Sequence, residues 1–125
     1  MINRIHELLN SLGITANYTG FCYVSLAVNL AMEDMERLSL VTKRLYPAVA
    51  RHYNTTASCV ERNIRTVVRV AWTQNPDLLK KLSKGGNCSK PTSAQFISIL
   101  TIYLLQEKQT TAHQQETRTP TTSYS

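Results

Sequence analysis

The chain is short of several things, and each shortage excludes a class of protein. Its three cysteines, Cys22, Cys59 and Cys88, form an odd set without a CxxC pair. They offer neither a disulfide framework nor a zinc knuckle, and they read as buried or incidental thiols of a reducing cytoplasm. Four glycines and four prolines are too few for the turn-rich plan of a β-sandwich. No apolar run reaches the roughly eighteen residues that a transmembrane helix needs. The opening Met1-Ile2-Asn3-Arg4-Ile5-His6-Glu7 moves straight into an amphipathic pattern and has no signal-peptide core. Chemistry is also missing. His6, His52 and His113 are scattered, no nucleophile sits beside a base, and Gly85-Gly86 reads as a turn rather than a phosphate cradle. Glu33, Asp34 and Glu36 look like an exposed acidic helix end, because their spacing matches no cation loop. No enzymatic activity, cofactor or metal is therefore expected.

What the chain does have is positive charge, unevenly placed. The net charge is +6 at neutral pH. Up to residue 42, Arg4 and Arg37 face Glu7, Glu33, Asp34 and Glu36, a balance of −2. Over residues 43–69, Lys43, Arg44, Arg51, Arg62, Arg65 and Arg69 face Glu61 alone, a balance of +5. A basic block beside an acidic one is the footprint of a surface that meets a polyanion, or more blandly a solvated cationic face.

The 125 residues suit one domain, and the hydrophobic periodicity is helical throughout. Ile2, Ile5, Leu8, Leu9 and Leu12 predict a first helix that stops at Gly13. Phe21, Val24, Val28, Ala31 and Met35 predict a second, after a turn with Thr19 and Gly20. Met35, Leu38, Val41 and Leu45 suggest a third, which Pro47 should end while opening a short helix to Tyr53. Asn54, Thr55 and Thr56 break the pattern. A long helix follows with Val60, Ile64, Val67, Ala71 and Trp72 inward, closed by Asn75-Pro76, which opens a short helix holding Leu78, Leu79 and Leu82. Lys84-Gly85-Gly86-Asn87 is read as a loop. Thr92-Ser93-Ala94-Gln95 is a capping box that starts a last helix to about Gln106. That run is unusually apolar, with Phe96, Ile99, Leu100 and Tyr103 expected inward and part of the remainder at a partner surface. The fold class is all-α, a compact bundle of about six helices over residues 1–106. The Thr-, Gln- and Ser-rich stretch 107–125 is expected to be disordered.

The segment from Leu45 to Trp72 carries the functional signal. A short helix, a tight turn and a longer helix form a helix-turn-helix. Ala50 is small where the helices would cross, Val49 and Tyr53 are assigned to the core, and Val60 seats the second helix. Asn54 suits a left-handed turn position. Thr56 suits the N-cap, with Ser58 as the alternative. With Val60, Ile64 and Val67 inward, the face near Cys59, Glu61, Arg62, Arg65, Thr66 and Arg69 is left for base edges and phosphates. Arginine can bond guanine O6 and N7 together, and glutamate can accept from cytosine N4. Thr56 and Ser58 join this set from the helix start, and Arg51 and Lys43 join it as backbone contacts.

The run Leu45-Tyr46-Pro47-Ala48-Val49-Ala50-Arg51-His52-Tyr53-Asn54-Thr55-Thr56-Ala57-Ser58-Cys59-Val60-Glu61-Arg62-Asn63-Ile64-Arg65 closely resembles the C-terminal effector domain of the sporulation-initiation response regulators, the stage 0 sporulation protein A family. Gly20-Phe21-Cys22-Tyr23-Val24, Val70-Ala71-Trp72 and Lys90-Pro91-Thr92-Ser93-Ala94-Gln95-Phe96-Ile97 extend the likeness in order, from about Ile2 to Leu105. The resemblance implies a six-helix transcription-regulator domain that binds TGTCGAA-like boxes in double-stranded DNA, often in tandem, as a dimer. It gives Glu61 and Arg62 base-reading roles and sets Ser58 and Arg65 on the DNA backbone. Cys59 stands where the family usually has an arginine. The loop between Trp72 and Phe96 is shorter than usual, which bears on any contact with RNA polymerase sigma factor. No receiver domain is expected ahead of the first helix, so an aspartyl-phosphate switch within this chain is not expected either. Two functions follow: a sequence-specific DNA-binding regulator of sporulation type, or an interaction module that pairs with a full-length regulator or polymerase and binds DNA weakly.

Overall fold

The computed structural model describes residues 2–83 and 89–118, with side chains as far as Lys108 in the last helix. The loop expected at 84–87, Cys88 and residues 119–125 lie outside these. The described residues form six α-helices: α1 (Ile2–Ser11), α2 (Thr19–Glu33), α3 (Tyr46–His52), α4 (Ala57–Gln74), α5 (Pro76–Leu82) and α6 (Ser93–Arg118). The all-α expectation holds. No helix among the described residues is long and apolar enough to cross a membrane.

Helix α1 buries Ile5, Leu8 and Leu9 and ends at Gly13 with φ 93°. The Gly13 N–H donates to the Asn10 carbonyl and the Ile14 N–H to the Leu9 carbonyl, both at 3.0 Å. This paired closure needs a left-handed residue, and Ile14 and Leu9, both fully buried, supply the apolar contact that accompanies it. Asn75 ties the far side down: its Nδ2 donates to the Ser11 carbonyl at 2.9 Å while its Oδ1 accepts from the Leu78 N–H, which starts α5.

Helix α2 is the centre of the bundle, packed against α4 and α6 and buried on several sides from Gly20 to Ala31. Gly20 lies in its first turn rather than in a preceding turn. A Cβ there would run into the Asn63 carbonyl oxygen and Val67 Cγ2, so the glycine lets α2 lie directly on α4. The core continues through Val24, Ala27, Val28, Leu45, Val49, Ile64, Val67, Phe96, Ile97 and Leu100. Burying each large side chain contributes about 1.5–3 kcal/mol.

Several expectations are corrected. The third helix is not a regular α-helix. Residues Met35–Leu40 form a 3₁₀ segment and Val41–Leu45 a π turn, closed by the Tyr46 N–H to the Val41 carbonyl. The 3₁₀ segment has no fully buried residue, and Met35 is 44% exposed; only Leu38 packs against the core from it, too little to impose α geometry. Val41 and Leu45 alone anchor the π turn in the core. Tyr53, assigned to the core, is 40% exposed, because α3 stops at His52 and leaves Tyr53 beyond the helical register. Its ring instead lies tilted against Tyr23 and edge-on to His52. In α6 the deeply buried set is Phe96, Ile97, Leu100, Thr101 and Leu104, while Ile99 and Tyr103 are half-buried. Thr101 is accommodated because its hydroxyl donates to the Ile97 carbonyl at 2.7 Å.

Helix α6 starts at the expected capping box, with the Gln95 N–H to Thr92 Oγ1 at 3.1 Å and the Thr92 N–H to Gln95 Oε1 at 2.9 Å. It continues past Gln106 to Arg118, since nothing before Pro120 breaks a helix. Arg4 grips Glu107 with two bonds, Nε to Oε1 at 2.7 Å and Nη2 to Oε2 at 2.8 Å. The pair holds the Glu107 carboxyl below the usual carboxylate range, its hydrogen bonds from Arg4 outweighing desolvation.

Candidate nucleic-acid interface

The turn between α3 and α4 closes like the end of α1. The Asn54 N–H donates to the Arg51 carbonyl at 3.3 Å and the Thr55 N–H to the Ala50 carbonyl at 2.9 Å. Asn54 takes φ 56°, the sole positive φ among the described non-glycine residues, as the turn chemistry requires. Thr56 then caps α4, its hydroxyl accepting the Cys59 N–H at 3.1 Å. Thr56, rather than Ser58, is the cap. Val49 and Ala50 pack beneath with Val60, Ile64, Val67, Val68 and Ala71, which fixes the rotation of α4.

That rotation leaves Ser58, Arg62, Arg65 and Arg69 exposed and Cys59, Glu61 and Thr66 half-buried. Arg51 at the end of α3 and Lys43 in the π turn are also exposed. Glu61 and Arg65 pair at 2.6 Å. Thr66 spends its hydroxyl hydrogen on the Arg62 carbonyl at 3.3 Å. Cys59 turns toward the bundle. Asn63 Nδ2 reaches its Sγ at 3.4 Å and its carbonyl at 2.8 Å. Hydrogen bonding from Thr55 first, then from Tyr23 and Arg62, draws the thiol pKa down against desolvation.

Two neighbours of this face were not singled out as site residues from the sequence. Tyr46, buried under α4, has its phenol pushed up to about 12 by desolvation and then by the charge of Glu61. Arg44 is exposed beside Lys43. The basic run signalled Arg44, whereas only the fold brings Tyr46 to Glu61. A groove of about 430 Å3 runs between α5 and α6, lined by Trp72, Leu79, Ile99, Ile102 and Tyr103 among others. Lys80 Nζ sits 5.6 Å from the Trp72 ring centre, a cation–π distance.

A short helix, a left-handed turn and a capped helix with arginines outward, set in an all-helical bundle, define the class of helix-turn-helix domains. The family model Sporulation initiation factor Spo0A C terminal matches residues 5–104. The chain belongs to this family and carries its DNA-binding sporulation-regulator domain.

Proposed function

We propose that the chain is a sequence-specific transcriptional regulator whose helix α4 enters the major groove. The observation that carries this reading is the outward row of Arg62, Arg65 and Arg69 on a helix whose inner face is locked into the core. Arg62 reads a base edge, with Glu61 as its partner reader through cytosine N4. Thr56, Ser58, Arg65, Thr66 and Arg69 line the groove walls, while Arg51 and Lys43 hold backbone phosphates. Cys59 supplies a small, inward-turned contact where the family usually has a longer one. Residues 1–106 act as the binding domain, and α6 runs on beyond it to Arg118.

The target on this reading is double-stranded DNA with TGTCGAA-like boxes, in tandem, occupied by two copies. The part-exposed Ile102 on α6, beside the α5–α6 groove, supports pairing through the last helix. A sigma factor of RNA polymerase remains a further partner on the same reading.

The test is a gel-shift titration with the intact chain against a tandem-box probe and a scrambled probe. Specific binding at about 0.15 M salt should exceed scrambled binding by roughly a thousandfold or more. Equal affinity for the two probes would favour a protein-pairing module instead.

A further inference from the structure

A second recess, of about 370 Å3, opens where α3, α4 and α6 begin. Its wall takes Tyr46 from α3, Ser58 and Glu61 from α4, and Ser93 from α6. Tyr46 is 4% exposed, so its ring is held by packing. Glu61 is only half-buried, and its carboxylate accepts from Arg65 Nη2 at 2.6 Å. Among the described residues of the wall it is the one negative charge, and a buried phenol shares the space with it.

A long side chain that must be still to read a base gives up rotamer freedom when it binds. Arg65 restrains Glu61 from the next turn of α4, but Arg65 is itself exposed and rich in rotamers. A group fixed by the core restrains more. The Tyr46 phenol is such a group, and its acidity reports the same neighbours. Burial pushes its pKa up to about 12 and the charge of Glu61 adds to the rise, while hydrogen bonding with the Ser93 side chain and the charge of Arg65 pull it partway back. The hydroxyl therefore keeps its proton at neutral pH, and a hydroxyl dipole turns in the field of a neighbouring charge.

We propose that Tyr46 is a positioning residue for base readout: its phenolic O–H, fixed from inside the bundle, orients the Glu61 carboxylate, which Arg65 restrains along the outer face. The inference rests on the functional reading above, in which Glu61 accepts from cytosine N4. One base pair of the box then depends on a side chain that is itself buried in the fold.

The test is a cycle of gel-shift titrations with the intact chain, using the tandem-box probe, the scrambled probe and single-substitution probes. Tyr46→Phe keeps the ring and removes only the hydroxyl. Discrimination should fall at the same base pair that Glu61→Gln affects, by roughly three- to tenfold, the size of one lost hydrogen bond. Affinity for the scrambled probe should not change. In the double variant Tyr46→Phe/Glu61→Gln the two losses should not add, because both remove one shared restraint. A merely structural tyrosine would act otherwise, lowering the melting temperature and weakening every probe alike. Unaltered discrimination in folded Tyr46→Phe, or additive losses in the double variant, would overturn the proposal.

A second measurement needs no change at Tyr46. With tyrosines 13C-labelled at the ζ carbon, Glu61→Gln should shift the Tyr46 resonance at neutral pH, since it takes a charge away from the phenol. An unmoved resonance would overturn the proposal, and this holds even if Tyr46→Phe fails to fold. Failure of the underlying reading looks different: the unmodified chain would bind cognate and scrambled DNA equally while Glu61→Gln still moved the Tyr46 resonance.

Discussion

Glu61 and Arg65 hold each other at 2.6 Å across one turn of α4, and both side chains are more than a third exposed. An exposed pair at this spacing contributes only about 0.3–0.5 kcal/mol to folding. Its value lies in orientation, since the carboxylate is fixed on the outer face next to Arg62. Glu61→Gln should therefore leave the melting temperature nearly unchanged. Discrimination at one base pair of the box should fall, as a panel of single-substitution probes would reveal. A large loss of stability with unaltered discrimination would mean that the pair is structural.

Arg62→Ala should lower specific affinity by about 1–3 kcal/mol by removing a contact to a base edge. Arg51→Ala and Lys43→Ala should instead weaken all sequences similarly and flatten the salt dependence. Competition between cognate and scrambled probes separates the two behaviours. Intact discrimination in Arg62→Ala would sink the assignment.

Gly20→Ala tests the closest approach in the fold. The added methyl would meet the Asn63 carbonyl and Val67, neither a free end that swings away. Overpacking of this kind costs about 1–3 kcal/mol, and the shift it forces reaches α4 directly. Thermal melting should drop, and DNA affinity should fall with it at a temperature where the variant is still folded. A Gly20→Ala protein of unchanged stability would show that α2 and α4 can move apart freely.

The Arg4–Glu107 pair makes a statement about pH. Glu107 titrates lower in the folded chain than in the unfolded one. Its contribution is therefore present above the unfolded carboxylate value, near 4.3, and is lost as pH falls through the lower, folded value. The side chains are about a third exposed, so solvent screening keeps the effect small. Denaturant melts of the native chain and of Glu107→Gln should differ at neutral pH and converge in acid. A difference that persisted unchanged at pH 2 would rule out this linkage.

Much of the site was legible because its determinants are local. Asn54 at the turn, Thr56 at the cap, and the Val60, Ile64, Val67, Ala71 stripe each follow from neighbours within a turn or two of chain. The same holds for Gly13 and for the Thr92–Gln95 box. What escaped depends on distant partners. The segment 35–45 has apolar residues at helical spacing, yet nothing packs over Met35 or Leu40, both exposed, so its geometry relaxes to 3₁₀ and π turns. Tyr53 fits the apolar period of α3 but falls one residue past its end. The inward turn of Cys59 could not be read from spacing, because Tyr23 comes from another helix.

Association is the last expectation to test, and α6 is where it would show. Five residues of this helix, Phe96, Ile97, Leu100, Thr101 and Leu104, are spent on the core. Ile102 is not: it is 42% exposed and borders the groove that Trp72, Leu79, Ile99 and Tyr103 also line. One isoleucine with a groove beside it is a modest patch, too small to hold two free copies together. On neighbouring boxes, however, DNA raises the effective concentration of one copy near the other, so a weak contact becomes visible as cooperativity. Affinity per box should therefore be higher on a two-box probe than on a one-box probe. Ile102→Glu should abolish that difference while leaving one-box binding intact, since residue 102 lies on α6, away from the outer face of α4. The variant should stay folded, because the replaced side chain already meets water. Equal per-box affinities in the unmodified chain would remove the dimer from the account, and a loss of one-box binding in Ile102→Glu would place the residue in the fold rather than at an interface.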